Sequence, residues 1–346
     1  MNQLKIYILI LVFSLVIISC KNTEAELYDF NVPEKSNSTL IDQESLRIEV
    51  SFPDSIKYAE NFCTTFKLSD GAEAYVDNVE QTSGISENNY EKPFEFTVIS
   101  EDEMISKTWF VRSFNNEYSE AWGLGGFISE EVSQKRSYEW YIDQAQTGID
   151  SDWNCAPSCV IMASRWQING FSQSVEDARQ KYHPEGGGWF TNDIDDCLTD
   201  YKVVHSITEL SEYRDKTTEL LVDKIKYGNI ILLAIDVHYL SQTYESELHV
   251  GKYYKTIQLG TGHCIVLKGY KIVDGKVFFE VYDPIGYDYT YSDGSFMGKN
   301  RYYCSDDIYT AAFASWNYAF VIWGPHGKKN SFRNVNINEI PNVKIL

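Results

Sequence analysis

Cys155 is the residue of this sequence with the clearest potential for chemistry, because it stands where a loop becomes an apolar helix. Pro157 follows it and suits a first helical turn, where the missing N–H needs no partner. The partial positive charge at a helix N-terminus stabilises a thiolate, which is the nucleophilic form of cysteine. A buried core cysteine is the alternative interpretation, and it is the one we favour for Cys159 and Cys264. The pattern predicts a nucleophile at Cys155.

A histidine and an aspartate lie on two consecutive predicted strands. His263 opens the first strand, and Asp283 follows the second. Asp274-Gly275 between the strands is a strong hairpin signal. His263 precedes Asp274 by 11 residues and Asp283 follows Gly275 by 8 residues, so both fall at the open end of the hairpin. Cysteine, histidine and aspartate can then act as nucleophile, base and orienting carboxylate of a triad.

The segments that must position these residues predict an α+β fold. Helices come first, and Ser174 and Asp177 stand in capping-box spacing at the start of one of them. Residues 229–235 form a near-continuous apolar run, as in a strand buried on both faces. Helices followed by an antiparallel sheet are an α+β arrangement. The predicted helices are 158–166, 175–182, 193–200 and 217–227, and the other predicted strands are 263–272, 276–282 and 318–323.

The region before these helices predicts a small β-sandwich over residues 39–115. Short segments alternate between apolar and polar residues and are separated by turn signals. The clearest are 46–50, 74–76, 94–98 and 108–111. The stretch from Phe66 to Val111 resembles the immunoglobulin-like modules of surface lipoproteins in Bacteroidetes-type bacteria. We expect this module to act as a spacer or a binding domain.

The first residues predict an export signal. Lys5 precedes an apolar run over residues 6–18, which is shorter than the roughly 20 residues that cross a bilayer and fits a secretory signal. Ser19-Cys20 at its end resembles a bacterial lipoprotein signal, in which Cys20 is acylated and becomes the new N-terminus. An ordinary signal peptide is the alternative. We therefore expect a signal peptide over 1–19, a tether over 20–38, a linker over 116–137 and a C-terminal tail over 327–346.

Charge and composition exclude several classes of function. The 346 residues include 50 acidic and 30 basic ones, for a formal net charge of −20. Nucleic-acid binding needs clustered cations, so this balance argues against it, and it also argues against contact with anionic membranes except through the N-terminal lipid. Seven widely spaced cysteines do not make a disulfide scaffold. The histidines lack metal-ligand spacing, and we expect a monomer without metal or cofactor.

Three segments together resemble a known family. They are residues 154–166 around Cys155, residues 260–270 around His263, and residues 279–284 ending in Asp283-Pro284. They are similar to papain-like cysteine peptidases of the bacteriocin-leader-processing, or double-glycine peptidase-like, type. The likeness covers about residues 138–323. The family has glycine after the nucleophile, where this chain has Ala156, a change that matters only if that backbone needs a positive φ.

The resemblance implies a papain-like domain over residues 138–326 and a peptide or protein substrate. It assigns Cys155 as nucleophile, His263 as base and Asp283 as the residue that orients the histidine. It also implies that Gln144, with the Cys155 backbone N–H, binds the oxyanion. Gln146 is the alternative donor. The enzyme would be lipid-anchored in a bacterial cell envelope. Acyl transfer or amide hydrolysis on the same fold, or a non-catalytic binding lipoprotein, are the other functions that the sequence leaves open.

Overall fold

The computed structural model describes residues 21–115, 125–243, 247–255, 258–325 and 334–345. The predicted signal peptide and Cys20 lie outside these ranges, so the lipoprotein assignment stays a prediction. The described residues form a mixed α and β fold with several sheets and five α-helices. Within those ranges, no helix combines the length and the apolar character needed to cross a bilayer.

In the described ranges, the first module consists of ten short strands. They are β1 (Leu27–Asn31), β2 (Ser38–Asp42), β3 (Arg47–Ser51), β4 (Phe62–Cys63), β5 (Thr65–Leu68), β6 (Glu73–Val76), β7 (Val79–Gln81), β8 (Glu87–Asn88), β9 (Phe94–Ile99) and β10 (Ser106–Phe114). Strands β3, β9 and β10 show the alternation of buried residues that the sequence predicts. Six of them form one sheet in the order β2-β3-β10-β9-β6-β7, while β1 pairs with β5 and β4 with β8. The strands predicted around residues 46–50, 74–76, 94–98 and 108–111 are confirmed. The immunoglobulin-like assignment stays a prediction.

The folded chain begins earlier than the sequence predicts. Strand β1 lies inside the segment 20–38 that we expect to be a tether, and it pairs with β5. Leu27 and Phe30 of this strand are buried in the core of the first module, where the Phe30 ring packs edge-on against Phe96 at 5.3 Å. The predicted tether groups this strand with the polar residues 21–24 before it, although Ala25, Leu27, Phe30 and Val32 are all buried.

The second module carries all five helices and one large antiparallel sheet. Its elements are β11 (Ile128–Ser133), α1 (Cys155–Gln167), α2 (Val175–Tyr182), α3 (Thr191–Asp200), β12 (His205–Glu209), α4 (Arg214–Lys226), β13 (Ile230–Asp236), β14 (Gly262–Val273), β15 (Lys276–Tyr282), β16 (Arg301–Cys304), α5 (Ser305–Ser315), β17 (Tyr318–Ile322) and β18 (Asn334–Val335). The strand order is β16-β15-β14-β13-β17-β12-β18, and β11 pairs with β14 outside that path.

Helices cover both faces of this sheet. Side chains of α1, α2 and α3 share one core with Ile230, Leu232 and Ala234 of β13. Side chains of α4 and α5 share a second core with the alternate residues of the same strand. All seven residues of β13 are buried, which confirms the two-sided burial predicted from its continuous apolar run. The predicted helix 217–227 corresponds to α4, whereas α5 (Ser305–Ser315) is a helix that is not predicted from the sequence.

Two segments expected to be connections belong to this sheet. Strand β11 lies in the predicted linker 116–137 and pairs antiparallel with β14. Strand β18 lies in the predicted tail 327–346 and pairs with β12, and Ile345 is buried in the helix α1 core. Both segments are short and polar in sequence. These segments are ordered because they pair with a neighbouring strand, and such pairing cannot be recognised in the local sequence.

The two modules meet at the turn of the β14–β15 hairpin. Asp274 adopts a φ of 52° and Gly275 one of 73°, the left-handed pair that a tight two-residue hairpin requires. The Asp274 carboxylate accepts hydrogen bonds from Arg112 Nε at 2.9 Å and Arg112 Nη2 at 2.7 Å. It also accepts one from the Phe127 N–H at 2.9 Å. These hydrogen bonds connect β10 of the first module to the hairpin that carries His263 and Asp283.

Candidate active site

Cys155 is the first residue of α1, a helix of 13 residues. The side chain of Asn154, the residue before it, makes no capping hydrogen bond to this helix. The Asn154 amide instead donates to Thr147 Oγ1 at 2.8 Å and to the Ile149 carbonyl at 3.2 Å. The first amides of a helix have no acceptor within it, so they remain available to negative charge on the thiol or on a bound substrate.

Ala156 takes the place of the family's glycine without backbone strain. It lies within α1 and is fully buried. It is not among the residues with a positive φ. Since a helical φ suits alanine better than glycine, the substitution removes no conformation that this turn uses. The departure from the family pattern therefore leaves the placement of Cys155 intact.

His263 and Asp283 meet at the open end of the hairpin, as their spacing predicts. His263 Nε2 lies 2.7 Å from Asp283 Oδ1, and both side chains are buried, with 1% and 0% of their surface exposed. Asp283 can only accept when ionised, so Nε2 carries the proton of this bond. The other ring nitrogen, Nδ1, is then available to Cys155, which raises the pKa of His263.

The Asp283 carboxylate accepts four hydrogen bonds. In addition to His263, Oδ1 accepts the Ile285 N–H at 3.0 Å. Oδ2 accepts the hydroxyls of Tyr254 at 3.0 Å and Tyr303 at 2.5 Å. Burial raises the pKa of both tyrosines well above the usual 10.0, so they remain O–H donors. A fully bonded carboxylate keeps its position and its charge, and it fixes the orientation of the imidazole.

The pKa values of the pair move apart in the direction that favours an ion pair. Burial alone lowers the pKa of His263, but the Asp283 carboxylate, through its charge and hydrogen bond, and Cys155 together raise it from 6.5 to about 10. Burial alone raises the pKa of Asp283, but the charge of His263 and the hydrogen bonds lower it overall below 3.8. The imidazole is therefore protonated at neutral pH while Asp283 is ionised.

This ion pair predicts a loss of stability in alkaline solution. The folded state binds the His263 proton more tightly than the unfolded chain does, so the stabilisation is complete below pH 6.5 and is lost as the pH rises through about 10. Thermal unfolding measured across that range should show a fall in Tm that His263→Gln lacks. Parallel curves for the two proteins would contradict the assignment of the raised pKa to His263.

Gln144 contacts the segment just before Cys155, while the side chain of Gln146 bonds a residue of another loop. Gln144 is buried and its Nε2 donates to the backbone carbonyls of Ser151 at 3.0 Å and Asp152 at 3.3 Å, three to four residues before Cys155. Its Oε1 is buried without a hydrogen-bond partner in the described part of the chain. Gln146 is exposed and its Nε2 bonds Asp288 at 2.9 Å. Both amide hydrogens of Gln144 are in use, so donation to an oxyanion requires one of them to be released.

We expect Gln144→Ala to lower kcat by about 10²–10³, which is the range for removal of one oxyanion donor, with little change in KM. Gln146→Ala serves as the matched control and should stay within about threefold of the parent. Steady-state kinetics on one peptide substrate makes the comparison. Equal rates for the two variants would remove Gln144 from the oxyanion site.

Three residues at the site are not predicted from the sequence. Tyr254 and Tyr303 hold Asp283, and Arg179 of α2 contacts the segment before Cys155. Arg179 lies 24 residues after Cys155, Tyr303 lies 20 after Asp283 and Tyr254 lies 9 before His263, and none belongs to a motif. The one available signal is Arg179, which stands on the apolar face of α2 with Val175 and Ala178 at helical spacing. An arginine at such a position indicates a specific buried partner.

The other cysteines near the site are core residues, as predicted. Cys159 and Cys264 are buried, and the Cys159 thiol donates to the Cys264 carbonyl at 3.2 Å. Burial raises the pKa of Cys159 well above 9.0, so its thiol is protonated. In the described ranges, no group of three or more His, Cys, Asp and Glu side chains is arranged to hold a metal ion.

Comparisons with known proteins find similarity at the level of solved structures only. No protein-family model and no curated protein match the sequence. Among the solved structures, a Bacillus anthracis protein with the provisional description C39-like peptidase is 13% identical, with a TM-score of 0.38 over 57% of this chain and 99% of its own. A protein of Bacteroides thetaiotaomicron described provisionally as a glycoside hydrolase covers 92% of this chain and 99% of its own, at 11% identity and a TM-score of 0.24.

A third similar structure is a Bacteroides fragilis protein described provisionally as secreted. It is 14% identical and has a TM-score of 0.22 over 28% of this chain and 98% of its own. At such identities and TM-scores these likenesses assign neither an activity nor a family. The geometry around Cys155 is therefore the basis for assigning a function.

Proposed function

We propose that this chain is a papain-like cysteine peptidase that hydrolyses peptide bonds. The observation that carries the proposal is a buried histidine that interacts with both a carboxylate and a thiol. Asp283 binds Nε2 of His263, and Cys155 at the start of a helix lies close enough to the same imidazole to raise its pKa. A protonated imidazole next to a thiol at a helix N-terminus is the arrangement that yields a thiolate nucleophile near neutral pH.

The steps follow from this placement. The Cys155 thiolate attacks the scissile carbonyl carbon, and the carbonyl oxygen takes up the negative charge. The Cys155 N–H and the Gln144 amide stabilise that oxyanion. His263 then gives its Nδ1 proton to the departing amine, and a thioester remains on Cys155. Neutral His263 takes a proton from water, the hydroxide attacks the thioester, and the acid product leaves as the thiolate–imidazolium pair re-forms. Asp283 keeps its charge throughout.

A peptide library tests the reaction. The parent chain, Cys155→Ala and His263→Ala are incubated with the library, and mass spectrometry locates cleaved bonds. We expect cleavage by the parent and none by either variant. Cleavage that persists in both variants would assign the activity to another site or to a contaminant. Intact peptides in every sample, across libraries of different composition, would favour a non-catalytic binding protein.

Acyl transfer uses the same thioester, with an amine in place of water as the second nucleophile. Adding a primary amine to the digestion separates the two reactions. Hydrolysis predicts acid products whose yield the amine does not change, whereas a transferase would convert most of the product to the amide. The buried environment of His263 is compatible with both hydrolysis and acyl transfer. Product analysis therefore decides between the two reactions.

The proposal includes export and lipid attachment. The run over residues 6–18 ending at Ser19-Cys20 supports acylation of Cys20 and an address in the bacterial cell envelope. Cys20→Ala would then leave the chain unacylated and release it from the membrane fraction. Mass spectrometry of the N-terminal peptide provides the readout, and an unmodified Cys20 in the parent would overturn this part of the proposal.

A further inference from the structure

Arg179 is a buried cation beside the segment that presents Cys155. Only 4% of the residue is exposed. Its Nε donates to Asn154 Oδ1 at 2.8 Å, its Nη2 to the Trp153 carbonyl at 2.8 Å, and its Nη1 to the Gly187 carbonyl at 2.6 Å. All three acceptors are uncharged. In the described ranges, no carboxylate forms an ion pair with this guanidinium within 4.0 Å.

A buried charge without a partner costs free energy unless another charge compensates it. Three groups act on Arg179 through charge: Asp150 most strongly, then Cys155 and Asp193. Asp193 already accepts the Phe190 N–H at 2.8 Å, and its carboxylate lies 3.3 Å from His183 Nδ1. Cys155 becomes negative only as a thiolate. Asp150 therefore compensates part of the Arg179 charge, and a Cys155 thiolate would add to that compensation and be stabilised by Arg179 in turn.

The same guanidinium connects three segments around the nucleophile. Through Asn154 it reaches Thr147, whose hydroxyl donates to the Gln144 carbonyl at 2.5 Å. Through Gly187 it holds the glycine-rich turn, where Gly187 has a φ of 81°. A Cβ on the preceding Gly186 would approach Asp150 Oδ2 to 2.9 Å, so this turn packs closely against the segment before Cys155. One side chain thus fixes both the proposed oxyanion segment and the start of α1.

We propose that Arg179 is a positioning residue for the nucleophile: it holds residues 153–154 in place and its charge favours the Cys155 thiolate. This inference rests on the proposed function, since it assumes that Cys155 reacts as a thiolate. Nothing in the reaction requires Arg179 to touch the substrate. Its role is to determine where Cys155 lies and how readily it ionises.

The groups that face Cys155 come from four elements. His263 of β14 and Arg179 of α2 are cationic, Cys159 on α1 remains a thiol, and Asp283 after β15 lies behind His263. Removal of the Arg179 charge leaves the other three unchanged. A shift in the ionisation of Cys155 can therefore be attributed to Arg179, provided that the fold is retained.

The test is the pH dependence of iodoacetamide labelling at Cys155 in the full chain, followed by peptide mapping. Arg179→Gln removes the charge, and we expect the inflection to move up by about one pH unit, which makes labelling about tenfold slower at a fixed acidic pH. Arg136→Gln is the matched control. Arg136 donates from Nε to the Trp166 carbonyl at 2.8 Å, at the far end of the same helix, so its loss should leave the inflection in place.

Arg179→Lys provides a second test should the Gln variant fail to fold. It keeps the charge but cannot bond Asn154, Trp153 and Gly187 together, so we expect labelling near the parental inflection with at least a tenfold lower kcat. Parental kcat together with a parental inflection in this variant would overturn the positioning role. So would a parental inflection in a folded Arg179→Gln variant. An ordinary thiol profile for Cys155 in the parent itself would instead overturn the proposed function.

Discussion

Replacing Cys155 by Ala should lower peptide hydrolysis by about 10⁴-fold or more while the chain remains folded. The nucleophile is the one group that no neighbour can replace, and loss of such a residue removes nearly all of the rate enhancement. Cys155 is buried in the α1 core, and alanine fits the same helical turn, so we expect only a modest change in stability.

The matched control is Cys63→Ala. Cys63 is an exposed cysteine on β4 in the first module, far from the second core, so this variant should hydrolyse peptides at the parental rate. Progress curves on a fluorogenic peptide, with circular dichroism to verify folding, make the comparison. Activity in Cys155→Ala within tenfold of the parent would refute the proposed nucleophile.

Asp283→Ala should cause the largest loss of stability of any single change at the site. It would leave the His263 imidazolium buried without its counter-ion, and it would leave Tyr254, Tyr303 and the Ile285 N–H without an acceptor. Removing one partner of a buried ion pair costs about 3–5 kcal/mol of the free energy of unfolding. Urea unfolding measures this, and activity should fall by about 10²–10⁴ because the base loses its orientation.

Asp283→Asn separates the charge from the hydrogen bonds. The tyrosine hydroxyls can turn to accept from the new amide, so we expect a smaller loss of stability than for alanine. The His263 pKa should fall with the loss of the carboxylate, moving the alkaline limb of the activity profile to lower pH. Asp288→Ala, an exposed carboxylate on the neighbouring loop, is the control. A profile unchanged in Asp283→Asn would show that Asp283 does not set the ionisation of His263.

Local patterns in the sequence predict much of the second module. Helix α2 occupies the predicted residues 175–182, and its Ser174–Asp177 capping box is present in the structure. Strand β15 also begins and ends where predicted, and the turn at Asp274-Gly275 has the expected left-handed backbone. These features depend on neighbours in the chain, such as a cap, a turn or an alternating run. Hence the sequence contains the information that determines them.

The features that sequence patterns do not predict depend on pairing across the fold. Strands β1, β11 and β18 are ordered by partners far along the chain, so the segments that hold them have the composition of connections. The hydroxyls of Tyr254 and Tyr303 reach Asp283 because β16 lies next to β15 and a loop folds over the site. No spacing rule predicts such contacts. The predicted triad, by contrast, lies on the start of one helix and on one hairpin. The two adjacent strands of that hairpin bring His263 and Asp283 together.

The most direct test of the central claim compares two cysteines in one sample. Iodoacetamide at about pH 5 should label Cys155 faster than Cys63, because ordinary thiols are protonated there and a thiolate paired with His263 is not. Exposure favours the opposite order, since Cys63 is exposed and Cys155 is only 4% exposed. Faster labelling of Cys155, lost in His263→Ala, is the result predicted by an activated nucleophile. Labelling of Cys63 alone would contradict it and would favour a binding protein on a peptidase-like fold.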